Sequence, residues 1–285
     1  MNQSTVSLIT VVLNGGTAFE RAAESVFAQS YRPIEYIVID GGSTDSTVDV
    51  IRSYGDRVSH WVSEPDRGIS HAFNKGIAAS TGHYVGFINA DDWLERNQIE
   101  EAVHALESRE ADFVFGDLAY HDADGRLLHI IKGDPHYAAR IHSRMPALNH
   151  PTVLARHTIF EGIGGFEERY KVAMDYDWAL RAHLAGYRGR YAPSVFGHMT
   201  LEGTSDRRFI EGLAEVRAIA VNHGQPAMKA WPLFGYRVVK GITQRIIQRH
   251  APPSLYDRLR GWVNPDYRAL PQASGSPSGA ETSRP

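Results

Sequence analysis

Hydrophobic and polar positions in the first third of this chain follow two alternating periods. Residues 6–13 are apolar and β-branched and stop at Asn14-Gly15-Gly16, the mark of a buried strand ending in a turn. Thr17 then opens a helix, with Glu20 three residues on as a capping box and Ala22, Ala23, Val26 and Phe27 on its inner face. The cadence repeats, with strands over 34–39, 58–63 and 84–88 and helices over 43–54 and 70–79. This order predicts an α/β fold, a doubly wound, mostly parallel sheet flanked by helices, over about the first 110 residues.

Beyond that point the pattern loosens. A strand is expected over 112–116, a hairpin over 118–131 turning at Asp122-Ala123-Asp124-Gly125, and a short strand over 153–156. Residues 133–152, with Pro135, Pro146 and Pro151, read as irregular, and 175–184 as a helix closed by Gly186. Over 231–250, Leu233, Phe234, Val238, Val239, Ile242, Ile246 and Ile247 fall near helical spacing beside Arg237, Lys240, Arg245 and Arg249. Such a basic amphipathic helix either lies on an anionic membrane or packs on the rest of the fold or a second subunit. From Pro271 the chain is rich in Ser, Gly and Pro, a composition for disorder. The expected divisions are 1–110, 111–225, a helical appendage at 226–270 and a tail at 271–285.

With 285 residues, 42% hydrophobic and 22% charged, the chain can bury one sizeable core. A net charge of −3 argues against a general nucleic-acid binder. The absence of cysteine removes disulfides, thiolate metal sites and a cysteine nucleophile, and fits a cytoplasmic address. The polar first residues run straight into a strand, so no signal peptide is expected, and no apolar stretch approaches membrane-spanning length.

The chemistry concentrates where apolar runs meet acids. Ile37-Val38-Ile39 stops at Asp40-Gly41-Gly42, and Val85-Gly86-Phe87-Ile88 stops at Asn89-Ala90-Asp91-Asp92. In an open parallel sheet that edge is where ligands bind. Asp40 reads either as a contact to a base or ribose or as a turn residue capping the next helix. Magnesium and manganese take oxygen ligands and bind through one or two carboxylates plus substrate phosphates, so Asp91 is assigned the metal first. Asp92 comes second, because Asp92-Trp93-Leu94-Glu95 also fits a helix cap. In the loop Ser63-Glu64-Pro65-Asp66-Arg67-Gly68, Arg67 is a candidate for phosphate and Asp66 for the base, against a plain Pro/Gly turn. Asp175 opens a helix whose inner face is Trp178, Ala179 and Ala182; it reads as a helix-dipole cap or as a general base. His198 is either an extra metal ligand or a packed core histidine, and His150 is equally open. The fourteen histidines form no zinc motif, and the chain has no nucleophile elbow, dinucleotide fingerprint or Walker loop.

Together these segments resemble the family 2 glycosyltransferases, inverting enzymes of the GT-A fold. The resemblance runs over about 6–205 and rests on Thr10-Val11-Val12-Leu13-Asn14, Ser25-Val26-Phe27-Ala28-Gln29-Ser30-Tyr31, Ile34-Glu35, and Asp40 through Asp45. It continues through Glu64-Pro65-Asp66-Arg67-Gly68, Asn74-Lys75-Gly76, Thr81-Gly82, Asn89-Ala90-Asp91-Asp92, Gly164-Gly165-Phe166 and Asp175-Tyr176-Asp177-Trp178-Ala179-Leu180-Arg181. It is closest in kind to bacterial enzymes building surface polysaccharide, O-antigen or glycolipid glycans. The resemblance implies a nucleotide-sugar donor contacted by Asp40, Asp66, Arg67, Asn89 and Asp91, with residues 1–110 as the donor half. It also implies Mg2+ or Mn2+ on Asp91, a glycan or lipid-linked acceptor served by 111–225, and Asp175 as catalytic base. Such acceptors favour a peripheral place on the cytoplasmic face of a membrane through 231–250. Two positions depart from many relatives: Asn89 stands where an Asp is common, and Met174 where an acid precedes the base. Two other classes compete, a nucleotide-sugar-forming nucleotidyltransferase and a non-catalytic sugar- or nucleotide-binding module. Against the first, Asn14-Gly15-Gly16-Thr17 carries no basic residue.

Overall fold

Strands β1 (Val6–Val12), β2 (Ile34–Asp40), β3 (His60–Ser63) and β4 (Tyr84–Asn89) form a parallel sheet in the order β3-β2-β1-β4. The computed structural model describes residues 3–108, 110–122, 124–200 and 208–250. Helices α1 (Gly16–Phe27), α2 (Thr47–Ser53) and α3 (Ile69–Ala79) connect the strands, as the cadence predicted. The sheet then continues through β8 (Leu154–Arg156), β6 (Phe113–His121), β9 (Gly189–Thr200) and β5 (Trp93–Leu94), with β7 (Leu127–Ile131) paired to β6. β8 runs antiparallel to both β4 and β6, whereas β6 and β9 are parallel. The expected halves therefore share one mixed sheet.

Alternation along the strands assigns the two faces. Ile9, Val11, Ile37, Ile39, Val85, Phe87, Phe113 and Phe115 pack into one core, under α3, α6 (His157–Ile163) and α7 (Met174–Leu184). Val6, Leu8, Val12, Tyr36, Val38, Ile88 and Val114 fill the other, against α1 and α4 (Gln98–Ser108). Burial on both faces explains why β1, β2 and β4 read as mostly apolar runs. Each core draws residues from both sides of position 110, so neither half has a core of its own.

Several local expectations are corrected. Thr17 and Glu20 make no capping box: α1 starts one residue earlier, with no side-chain cap from its own N-cap. Instead Thr47 of α2 accepts hydrogen bonds from the Gly15 and Gly16 N–H groups at 3.0 and 3.2 Å. Asp92 caps no helix, because 93–94 pair with β9 as a strand and α4 begins only at Gln98. The irregular segment contains a short helix, α5 (Tyr137–Arg140), and the unanticipated β9 runs for twelve residues. Two helices, α8 (Phe209–Asn222) and α9 (Ala227–His250), follow. The expected tail at 271–285 and the end of the appendage lie outside the described residues.

Candidate active site

The carboxyl edge of the parallel strands gathers the acids that the sequence places there. In the register of the sheet, Asp40 lies beside Val12 and Asn89 beside Val11, so β1 separates the two strand ends. Asp40 is buried and its carboxylate is satisfied within the loop. It accepts from the N–H groups of Gly42 and Ser43 at 3.2 and 3.0 Å, from Ser63 Oγ at 2.6 Å, and from the Ser43 hydroxyl. Asp40 thus shapes the loop that any nucleoside would meet. Asp66 accepts from Gly68 N–H at 2.7 Å, and its other oxygen lies over Gly41, where an added Cβ would come within 2.5 Å of it. Only glycine permits that approach. Arg67, the expected phosphate ligand, is exposed and paired with Glu168 through two hydrogen bonds of 3.0 Å.

At the end of β4, Asn89 donates to Asp92 Oδ2 at 2.8 Å. Asn89 Oδ1 and Asp92 Oδ1 are both buried and find no hydrogen-bond partner. Burial, and next the charge of Asp91, push the Asp92 carboxyl well above the usual range. Asp91 is half-buried and also raised by burial. Arg21, which stacks 3.9 Å over the Trp93 ring, and Thr200 hold the Asp91 backbone carbonyl at 3.2 and 3.0 Å. Orphaned oxygens beside a carboxylate form a donor set suited to a hard divalent cation, to be completed by substrate phosphates. Among the described residues, no group of three or more acid or histidine side chains is arranged to hold a metal without such help. His198 does not join them. Its Nδ1 meets His121 Nε2 at 3.0 Å, its Nε2 meets Glu95 Oε1 at 2.8 Å, and its ring stacks on Trp93.

Asp175 stands in the first turn of α7, where a capping role was the plainer reading. Another carboxylate holds the turn that leads into this helix. Glu215 of α8 accepts from the backbone N–H groups of Lys171, Val172 and Ala173 at 2.8, 2.9 and 2.8 Å. Asp177, two residues on, is buried and paired with Arg181 at 2.8 Å and His223 at 3.1 Å. Asp175 accepts from the adjacent Tyr176 N–H at 2.8 Å. Its carboxyl lines a pocket walled by Phe87, Phe113, Phe166 and Trp178, whose burial pushes it up to about 6. Phe87 lies two residues before Asn89 on β4, so the pocket adjoins the oxygen cluster along one strand. His150 and Leu148 close the pocket from the irregular segment. His150 Nε2 and Trp178 Nε1 are buried there without partners, and burial lowers the histidine to about 4. Met174, in the place of an acid, packs in the core with its sulfur 3.1 Å from Ser70 Oγ. Glu215 and Arg21 carry no motif signal; only the tertiary fold brings them here.

A twisted α/β sheet with acids on its carboxyl edge and a carboxyl pocket on the following mixed strands defines the class: a GT-A fold. The profile described as "Glycosyl transferase family 2" matches residues 7–162, more than half of the chain. The chain belongs to that family. It is 32% identical over 180 residues to an uncharacterized glycosyltransferase of Rickettsia typhi, covering 60% of this chain and 56% of that one. The chain therefore spans little more than half the length of that relative. To an uncharacterized glycosyltransferase of Mycobacterium tuberculosis it is 31% identical over 183 residues, covering 63% and 69%. The solved mannosyltransferase PcManGT from Pyrobaculum calidifontis, in complex with GDP-Man and Mn2+, superposes with a TM-score of 0.64 at 20% identity, covering 93% and 85%. S. aureus TarS 1–349 in complex with UDP-GlcNAc superposes with a TM-score of 0.58 at 16% identity, covering 90% and 77%. These likenesses carry the fold.

Proposed function

We propose that the chain transfers a sugar from a nucleotide-sugar to a hydroxyl of a glycan or lipid-linked acceptor, in one inverting displacement. The observation that carries this reading is the apolar pocket that Asp175 lines. Glu215 caps the turn before α7, and the pocket raises the Asp175 carboxyl to about 6, near the working range of a general base. Asp175 takes the proton of the acceptor hydroxyl as its oxygen attacks the anomeric carbon. The bond from that carbon to the diphosphate oxygen breaks on the opposite side, and its electron pair leaves with the nucleoside diphosphate. Asp91, with Asn89 and Asp92, would hold Mg2+ or Mn2+, supplying charge neutralisation at the departing diphosphate. The solved relatives with GDP-Man and Mn2+ and with UDP-GlcNAc support a donor and cation of these kinds. The Asp40 loop and Asp66 would line the nucleoside side, while Leu148 and His150 would face the acceptor. A cytoplasmic site of action suits a nucleotide-sugar donor. No helix among the described residues is long and apolar enough to cross a membrane.

Calorimetry with UDP, GDP, dTDP and CDP, with and without Mn2+, tests the donor side. One nucleotide should bind in a Mn2+-dependent manner and lose that dependence in Asp91→Ala. Absence of binding for all four removes the donor reading. Asp175→Asn should bind the same nucleotide as wild type but transfer no sugar; full transfer by this variant excludes Asp175 as base.

A further inference from the structure

Among the side chains described, helix α9 docks mainly through one side. Ala230 is buried, Gly241 presses on the Phe209 ring, and Arg237 is half-buried near Tyr176 and Arg144. At 100° per residue these three share a face. The opposite face presents Met228, Trp231, Val239 and Ile242, with exposures of 89%, 55%, 66% and 43%. Gly235 falls within this stripe and nothing described lies near it. Arg217 of α8 stacks 4.1 Å over the Trp231 ring, so the aromatic body is held at the edge of the stripe rather than folded inward. Single exposed apolar residues need no explanation, but four in line along four helical turns do.

Charge decides what covers them. The sequence of α9 contains Lys229, Arg237, Lys240, Arg245 and Arg249 and no acid, a charge of +5. The whole chain carries −3, so the remainder carries −8. A second copy would set one basic, acid-free helix against another. The chain's own residues 251–285 hold four Arg against three acids, and so offer no complementary charge. A surface that is both apolar beneath and negative above matches the helix on both counts. We propose that α9 lies on an anionic lipid bilayer, with Met228, Trp231, Val239 and Ile242 at the headgroup–acyl boundary. The inference does not depend on the transferase reading. It adds to that reading a location: α9 packs on α8, whose Glu215 holds the segment leading to Asp175.

The test uses the full chain and vesicles of phosphatidylcholine, with and without phosphatidylglycerol, in a sedimentation assay at low and high salt. Wild type should sediment with the anionic vesicles, roughly tenfold less with neutral ones, and less as salt screens the headgroups. Val239→Glu combined with Ile242→Glu should lose binding roughly tenfold or more while keeping its unfolding temperature and nucleotide binding. If that pair unfolds, Trp231→Ser gives the same reading. No binding to anionic vesicles, or equal binding by a folded variant, overturns the proposal. So does a wild-type dimer in light scattering that the double variant converts to monomer, which would make a second copy the occupant.

Discussion

Asp175→Asn should make the protein more stable at neutral pH, by an amount that the pocket sets. The aromatic walls raise the carboxyl from 3.8 to about 6. In the unfolded chain it loses its proton near the lower value; in the folded chain it keeps it to the higher. Between the two the folded state holds more protons, so stability falls as pH rises, and the deficit persists above 6. At about 1.36 kcal/mol per pH unit, the deficit reaches about 3 kcal/mol at neutral pH. Asparagine cannot ionise and escapes it. Its amide still meets an apolar wall with few partners, which trims the gain to about 1–3 kcal/mol. For a chain of this size that is a rise of roughly 2–10 °C in Tm. Thermal unfolding of both proteins at about pH 7.5 and about pH 5 reads it, with the gain smaller at the lower pH by about 1.4 kcal/mol. No gain at neutral pH, or a gain that ignores pH, refutes the assignment of an apolar, proton-holding site to Asp175.

Glu215→Ala strands the three N–H groups before α7 and should cost about 1–2 kcal/mol, seen as a lower urea midpoint with nucleotide binding unchanged. An unchanged midpoint would show that water caps this turn as well. Asn89→Asp sets a third carboxylate against the buried Asp92, so it should unfold at lower temperature in chelator and gain more from Mn2+ than wild type does. Equal responses to Mn2+ would place the cation elsewhere.

β1, β2 and β4 were legible because they are buried on both faces, and a two-sided strand writes itself as a mostly apolar run. The positions of Asp40 and Asp91 were legible for the same reason: each acid ends such a run, and sheet topology sends those ends to one edge. β9 was not, since its alternating pattern of buried and exposed residues is broken by a register shift opposite Gly116. The roles of single side chains were the least legible. Nothing in the loop around Arg67 announces Glu168, a hundred residues away, as its partner.

What the sequence determined by itself is local: periods of burial, turn residues, and a set of ordered acids sufficient to recognise the family. It left Asp175 balanced between cap and base, because the first turn of a helix attracts a carboxylate for either purpose. The tertiary structure decides the surroundings of that carboxyl. It brings Glu215 from α8 to accept the N–H groups ahead of α7, and sets Phe87 of β4, Phe113 of β6, Phe166 of the loop before α7 and Trp178 of α7 around the pocket that Asp175 lines. A cap needs only its own turn, whereas a raised carboxyl needs water excluded on all sides, and chain segments far apart in sequence must meet to exclude it.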